Sequence, residues 1–354
     1  MNYELELEKL LETVITEGAS DLHLSEGRYP TIRISGQLIP VVSSAQLTHD
    51  DIKEFVNIMA SSAKRKNFDI DSTELDFSYK YKDKARFRGN AYHQQGALSV
   101  ALRFIPKTVR TITDLMLPVE LEQFAHKKQG FFLVVGPVGQ GKSTTLAAII
   151  ESINQERAEH IVTIENPTEY LYEQKKSIID QREVGIDTDS FESGLISALR
   201  QDVNVILVGE MRDRETMAAA VTAAETGHLV LSTLHTNNAA QTVDRIIDSF
   251  PANQQDQIRI QLSNALAGVL SQRLVPRISG GLIPVFELMI TNNAIQNLIR
   301  EKRTHEINTV IETGSQEGMI DMNRCLAELV QRGEITMEDA YAHSLNPKML
   351  QRLI

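Results

Sequence analysis

The sequence predicts an α/β fold: a small α+β domain, then a buried and mainly parallel sheet flanked by helices, and finally a helical layer. Three observations carry this. Strand-like alternation of apolar and polar residues fills much of the chain before residue 105. Beyond it, short apolar runs recur at residues 131–135, 161–164, 205–208 and 229–231, separated by helical stretches, which is the rhythm of a parallel sheet covered on both faces. The first of these runs ends in a glycine-rich turn that opens a helix.

Leu7, Leu10, Leu11, Val14 and Ile15 recur at helical spacing, so residues 4–17 read as an amphipathic helix. Residues 31–38 read as a hairpin turning at Gly36, and residues 49–63 as a helix. Strands are expected over 75–81, 84–94 and 98–105, joined at Lys82-Asp83 and Gly96. Pro106 and Pro118 bracket a segment uncomfortable for a central strand or a helix interior. The expected division is therefore an N-terminal domain over 1–105, a linker over 106–118 and a second domain over 119–354. After Pro251 the pattern turns helical, with candidates over 253–274, 291–302, 319–332 and 336–342 and a loop between Pro276 and Pro284. Residues from about 286 to 354 make up the expected C-terminal helical region.

A chain of 354 residues can bury two cores. A net charge of -11, with basic residues scattered among acids, offers no stripe for a phosphate backbone and disfavours nucleic acid. The single cysteine, Cys325, excludes an internal disulfide and a multi-cysteine zinc site and suits a reducing compartment. Acidic residues Glu4, Glu6, Glu8 and Glu12 make the N-terminus wrong for a signal peptide, and no apolar run approaches the roughly 20 residues of a spanning helix. A cytoplasmic protein that meets a membrane through partners is expected.

Gly136, Pro137, Val138, Gly139, Gln140, Gly141, Lys142 and Ser143 fit the phosphate-binding P-loop. Glycines let backbone N–H groups point inward at a polyphosphate, and the helix N-terminus adds a favourable dipole. Lys142 is suited to neutralise the β and γ phosphates of ATP, and the Ser143 hydroxyl to ligate Mg²⁺. Residues 203–208 form an apolar strand that delivers Glu210 to the same sheet edge, where a carboxylate can hold the Mg²⁺ water shell or polarise the attacking water. Glu165 ends a similar run, with Glu169 close behind. His228 and His235 bracket another apolar strand; seven residues apart they point to opposite faces, and spacing alone reads them as satisfied boundary residues. Alternation puts Arg86, Arg88 and Arg103 on the polar side of the first domain's sheet, a solvated face that in an oligomer could supply an arginine to a neighbour's triphosphate.

The order of motifs resembles the secretion-ATPase superfamily of bacterial type IV pili and type II secretion. It runs from Gly136 to Thr144, through 163–167, 181–185 and 207–213, to 224–228 and 233–236; residues 19–24 and 294–301 resemble its pilus-retraction branch. The resemblance implies a PAS-like N-terminal domain, a RecA-like ATPase domain and a homohexamer that hydrolyses ATP to retract pili for twitching motility. It implies a Walker A loop at Gly136 to Thr144, a Walker B glutamate at Glu210, an acidic box at Glu165 and Glu169, a histidine box at His228 and His235, and trans-acting arginines among Arg86, Arg88 and Arg103. An inner-membrane pilus platform protein is the implied partner, which would hold the motor peripherally at that membrane. Three departures stand out: Asn166 where the family usually has aspartate, Val203-Asn204 for proline and aspartate, and Gln296 for arginine.

Rival readings are an accessory retraction paralogue, a pilus-extension or secretion ATPase, and a RecA-like nucleic-acid motor. Extension ATPases carry a longer N-terminal region and a four-cysteine zinc element, at odds with a P-loop at residue 136 and one cysteine. A nucleic-acid motor lacks its expected basic contacts in this composition.

Overall fold

The computed structural model describes residues 2–34, 36–62, 74–82, 84–105 and 108–354. Ser35, Ala63, Asp83 and Pro106, which belong to the expected hairpin, helix end, turn and domain boundary, lie outside the described residues. The chain divides into two compact units. One is Met1–Thr108 with Asn166–Tyr172 and Glu183–Asp187; the other is Val109–Glu165 with Glu173–Arg182 and Thr188–Ile354.

The first unit runs α1 (Tyr3–Thr16), β1 (Asp21–Ser25), β2 (Thr31–Ile34), β3 (Gln37–Pro40), α2 (His49–Ser62), β4 (Glu74–Tyr81), β5 (Ala85–Gln94) and β6 (Ala97–Ile105). Among the described residues its strands form an antiparallel sheet in the order β3-β2-β1-β6-β5-β4. Leu7, Leu10, Leu11 and Val14 of α1 join Ile52, Phe55, Val56 and Met59 of α2 in one core with Leu22, Leu24, Phe87, Val100 and Leu102 of the sheet. Gly89 lies under Phe77, where a Cβ would come within 2.2 Å of the ring. Register carries one row of side chains across the sheet: Arg33 opposes Asp21, Asp21 opposes Arg103, Arg103 opposes Arg88, and Arg88 opposes Ser78.

The second unit continues with α3 (Glu122–Ala125), β7 (Gly130–Val135), α4 (Lys142–Glu156), β8 (His160–Glu165), β9 (Ile178–Glu183, its last residue falling in the first unit), α5 (Phe191–Ala198), β10 (Val205–Val208), α6 (Arg214–Glu225), β11 (Leu229–Leu234) and α7 (Ala239–Asp248). It ends with α8 (Ala252–Ala265), β12 (Leu266–Pro276), β13 (Leu282–Ile290), α9 (Asn293–Arg300), α10 (Ile307–Thr313), α11 (Met322–Gln331), α12 (Met337–His343) and α13 (Pro347–Leu353). The sheet order is β13-β12-β7-β11-β10-β8-β9. Strands β12, β7, β11, β10 and β8 run parallel, and β13 returns antiparallel to β12. Every residue of β7, β10 and β11 is buried, which is why these strands read as continuous apolar runs. No helix among the described residues is long and apolar enough to cross a membrane.

The helix expected over 253–274 is corrected by the structure. Helix α8 stops at Ala265, Leu266 turns to extended backbone, and β12 runs on to Pro276. The region between Pro276 and Pro284 is the turn and return of a β-hairpin, and β13 carries the strand into the stretch assigned to helices from about residue 286. A short buried stretch with a few polar residues fits a strand and a helix alike, so periodicity does not separate them here. Gly268 breaks the tie physically: a Cβ there would lie 2.7 Å from the Met289 carbonyl and 2.8 Å from the Phe124 ring, contacts of a close-packed strand. The C-terminal helices pack on this hairpin, with Val275, Ile283 and Val285 sharing a core with Met322, Leu326, Ile335, Ala340 and Leu350.

Candidate active site

Parallel register aligns the ends of β7, β8, β10 and β11, so the residues that follow them share one edge of the sheet. After Val135 the chain turns through Gly136, Gly139 and Gly141 at φ 149°, 79° and 77°, conformations that favour glycine, and α4 begins at Lys142. Pro137, Val138 and Gly139 are exposed, Gln140, Gly141, Ser143 and Thr144 half-buried, and Lys142 buried. The Lys142 ammonium folds back over its own loop, donating to the carbonyls of Gly136 at 2.7 Å and Pro137 at 2.9 Å. It also lies 3.2 Å from Nδ1 of His235, the first residue past β11. A loop with inward N–H groups, a helix N-terminus and a lysine drawn over the turn is chemistry for a polyphosphate.

Glu210 enters from β10. Gly209 donates its N–H to the Ile164 carbonyl at 2.8 Å, and a Cβ there would lie 3.3 Å from that oxygen, so glycine lets the ends of β8 and β10 close together. Thr233 on β11 donates to the Gly209 carbonyl at 2.7 Å, fixing the other side. The Glu210 carboxylate is held by Arg212 at 2.7 Å, and Nε2 of His235 is 3.7 Å away. The Glu210 hydrogen bond and charge push the Arg212 guanidinium above its usual range. Glu165 closes β8, buried, and accepts from the Thr163 hydroxyl at 2.7 Å.

The structure thus brings Lys142, His235 and Glu210 together and places Glu165 on the same strand edge. His228 is elsewhere. It precedes β11, its carbonyl accepts from Gly130 at the start of β7, and its Nδ1 lies 3.0 Å from the Ala223 carbonyl. A strand rises about 3.3 Å per residue, so the length of β11 keeps it from the phosphate edge of its own chain, and the catalytic role expected for His228 has no geometric support within the chain. Glu169 is exposed and falls in the first unit with Asn166–Tyr172. There too Arg86 is committed to the buried carboxylate of Glu183 at 2.8 Å, an acceptor that also takes the Thr168 N–H at 3.2 Å. Arg103 binds Asp21 at 3.0 Å with a largely exposed guanidinium, and Arg88 is half-buried beside it in the sheet.

Two further residues border the loop in a stretch where the sequence pattern predicts a helix. Gln272 and Arg273 on β12 flank the P-loop; Arg273 reaches the Asn237 carbonyl at 3.2 Å and its side-chain oxygen at 3.0 Å, in the loop that carries His235. Burial lowers the Arg273 pKa from its ordinary value. Gly268 and the terminating Pro276 were the available signals for a strand.

Known proteins resemble this chain along nearly its whole length. Residues 3–342 match the family described as type II/IV secretion system protein. The chain is 42% identical over 336 residues to the type IV pilus retractation ATPase PilT of Pseudomonas aeruginosa, covering 95% of this chain and 97% of that protein. It is 38% identical over 351 residues to the type IV pilus ATPase PilU of the same organism, covering 99% and 91%. The crystal structure of the pilus retraction motor PilT with bound ADP superposes with a TM-score of 0.90 at 44% identity, covering 98% of each chain.

Proposed function

The chain belongs to the type II/IV secretion system protein family, and we propose that it is an ATP-hydrolysing motor that powers type IV pilus retraction. The observation that carries the reading is the bridge from Lys142 through His235 to Glu210 at the mouth of the P-loop. Ammonium, imidazole and carboxylate there meet the three needs of phosphoryl transfer to water: charge neutralisation, a link that registers the γ-phosphate, and a group that orients the nucleophile.

The phosphates settle on the N–H groups between Gly139 and Thr144, and the Lys142 ammonium leaves the Gly136 and Pro137 carbonyls for their oxygens. Ser143 and Glu210 supply hydroxyl and carboxylate oxygens, a hard donor set that suits Mg²⁺. When bound, that ion neutralises charge on the β and γ phosphates. Glu210 orients the attacking water and accepts its developing proton, while Arg212 holds the carboxylate in place. Glu165, pinned by Thr163, is a second acceptor at the same edge.

The reading extends to a homohexamer in which Arg88 or Arg103 of one subunit completes a neighbour's site. Arg86 fits that task poorly because Glu183 already holds it. It extends further to peripheral placement at the inner membrane through a pilus platform protein. The deciding experiment measures Mg²⁺-dependent ATP hydrolysis by the purified chain, together with twitching of a deletion strain complemented by the wild type or by Glu210→Gln. Hydrolysis without restored twitching would leave an ATPase of another machine, and absent hydrolysis by the assembled protein would overturn the motor reading.

A further inference from the structure

We propose that Gln272 is a positioning residue of the nucleotide site, its carboxamide clasping the P-loop and fixing which way the loop's peptide groups face. The inference rests on the reading of residues 136–144 as that site. Gln272 is 2% exposed and satisfied at both ends. Its Nε2 donates to the Gln140 carbonyl at 2.7 Å, and its Oε1 accepts from the Thr145 hydroxyl, also at 2.7 Å. The contact is reciprocal, because the Gln140 side-chain oxygen accepts from the Leu274 N–H of the same strand at 2.6 Å.

The fit of strand on loop is tight. A Cβ on Gly136 would come within 2.4 Å of the Gln272 carbonyl, and one on Gly141 within 3.0 Å of Gln272 Nε2. Gln272 therefore accounts for part of the demand for glycine at both ends of the turn. A trans peptide is planar, with its C=O and N–H pointing in opposite directions. Holding the Gln140 carbonyl toward Gln272 turns the Gly141 N–H away from β12, toward the side where the phosphates sit. Before nucleotide binds, Lys142 gathers the Gly136 and Pro137 carbonyls in the same way. Carbonyls with fixed partners leave the loop's N–H groups preorganised for an anion.

The pairing also specifies the residue type. One end of the side chain faces an acceptor and the other a donor, so a carboxamide fits. A glutamate of the same shape would set an acceptor against the Gln140 carbonyl and bury negative charge beside a polyphosphate.

The test measures ADP binding by titration calorimetry with Mg²⁺, ATPase KM and kcat, and thermal unfolding with and without ADP, on the full chain. The variants are Gln272→Glu, Thr145→Val and, as the control for the site itself, Lys142→Ala. Gln272→Glu is expected to weaken ADP and raise KM by about tenfold or more, and Thr145→Val by about threefold to fivefold, with kcat at saturation changing less than KM. ADP should then protect the folded variants against heat less than it protects the wild type. Affinity and KM within about twofold of wild type in both variants would overturn the role, even if the nucleotide-free protein melts earlier. Should Gln272→Glu fail to fold, Thr145→Val decides by the same criterion. If Lys142→Ala binds ADP like the wild type, the nucleotide-site reading itself falls; if it loses ADP while Gln272→Glu and Thr145→Val keep it, only the clasp falls.

Discussion

Nδ1 of His235 lies 3.2 Å from the Lys142 ammonium, which ties the end of β11 to the start of α4. An ammonium has only protons to give, so Nδ1 must accept and the ring proton of the neutral tautomer sits on Nε2, the nitrogen 3.7 Å from Glu210. In the mechanism proposed above, Lys142 moves to a phosphate, this tautomer preference is released, and the imidazole is the group that reports phosphate occupancy to the carboxylate. His235→Ala is expected to lower kcat by roughly 10- to 100-fold while ADP affinity stays within about threefold. Steady-state kinetics beside calorimetric titration separate the two effects. A variant that loses affinity but keeps kcat would make His235 a binding residue instead.

Lys142 and Glu210 should fail in different ways. Lys142→Ala removes charge neutralisation already present in the ground state, so nucleotide affinity should fall at least tenfold. Glu210→Gln keeps the shape and the affinity but loses the carboxylate, and turnover should drop by 100-fold or more. Stopped-flow binding of a fluorescent ATP analogue and a phosphate-release assay read the two separately. Hydrolysis by Glu210→Gln at the parent rate with Mg²⁺ present would end its assignment.

The three arginines of the first unit should no longer behave alike. Glu183 is almost fully buried, and removing its partner strands a charge, a loss of about 3 kcal/mol that should lower the melting temperature by several degrees in Arg86→Ala. Arg103 is largely exposed and Arg88 half-buried, so Arg103→Ala and Arg88→Ala should leave the melting point within about 2 °C. At least one of the latter should slow ATP turnover in the assembled protein without weakening ADP binding. Light scattering and ATPase rates across a dilution series supply the check. Equal rates in a verified monomer and in the assembly would remove the case for a trans-acting arginine.

Glu287 introduces a pH dependence. Burial pushes its carboxyl up to about 7 from 4.5, against hydrogen bonds from the Ala239 N–H and the Ser271 hydroxyl, with Asp321 raising it further and Arg273 opposing. The folded state therefore keeps a proton that the unfolded state has already lost. This group's contribution to stability is full below pH 4.5 and is lost as pH rises through about 7, a fall of roughly 3 kcal/mol. Glu287→Gln keeps an oxygen acceptor for both donors and cannot ionise. A polar cavity of about 180 Å³, lined by Asn238, Asp321 and Asn323, gives the new amide room for partners. Urea unfolding at pH 5 and pH 8 should show a smaller loss of stability in the variant. Identical slopes for both proteins would mean that Glu287 ionises freely in the native state.

Much of the site was legible because its residues are tied to local chemistry. Glycines at 136, 139 and 141 mark a turn with positive φ, and an apolar run that ends at a carboxylate marks the edge of a parallel sheet, so Lys142, Glu165 and Glu210 could be placed from spacing. What spacing could not give was anything decided by a distant strand. Gln272 meets Gln140 across more than a hundred residues, and periodicity does not distinguish its strand from a continuation of the preceding helix. The commitment of Arg86 to Glu183 is likewise long-range, joining a strand to the short Glu183–Asp187 return into the first unit. The histidine pair shows the same limit: two residues bracketing one strand look equivalent in sequence, and only the direction of β11 separates the one at the phosphate edge from the one that is not.

Helix α9 offers the prediction that separates force transmission from hydrolysis. Ile295, Leu298 and Ile299 are buried on one side, while Asn297, Arg300 and Glu301 are exposed on the other. The apolar side anchors the helix, and the Asn292 side chain caps its start by accepting the Ile295 N–H at 3.0 Å. Among the described residues the exposed side is held only locally, since Arg300 donates to Asn297 and Arg303 pairs with Glu301 at 3.0 Å. Surface pairs of this kind stabilise by at most about 1 kcal/mol, so their removal should scarcely move the melting temperature. Arg300→Ala with Glu301→Ala is expected to leave assembly and at least half of the ATPase rate intact, yet to impair twitching at normal protein level. If α9 merely packs the helical layer, the double variant should twitch like the wild type. If ATPase and motility fall together, these residues belong to the hydrolytic core. Motility halos, immunoblots and purified ATPase rates on the same variant distinguish the three outcomes, and only preserved hydrolysis with lost motility places the coupling surface on this helix.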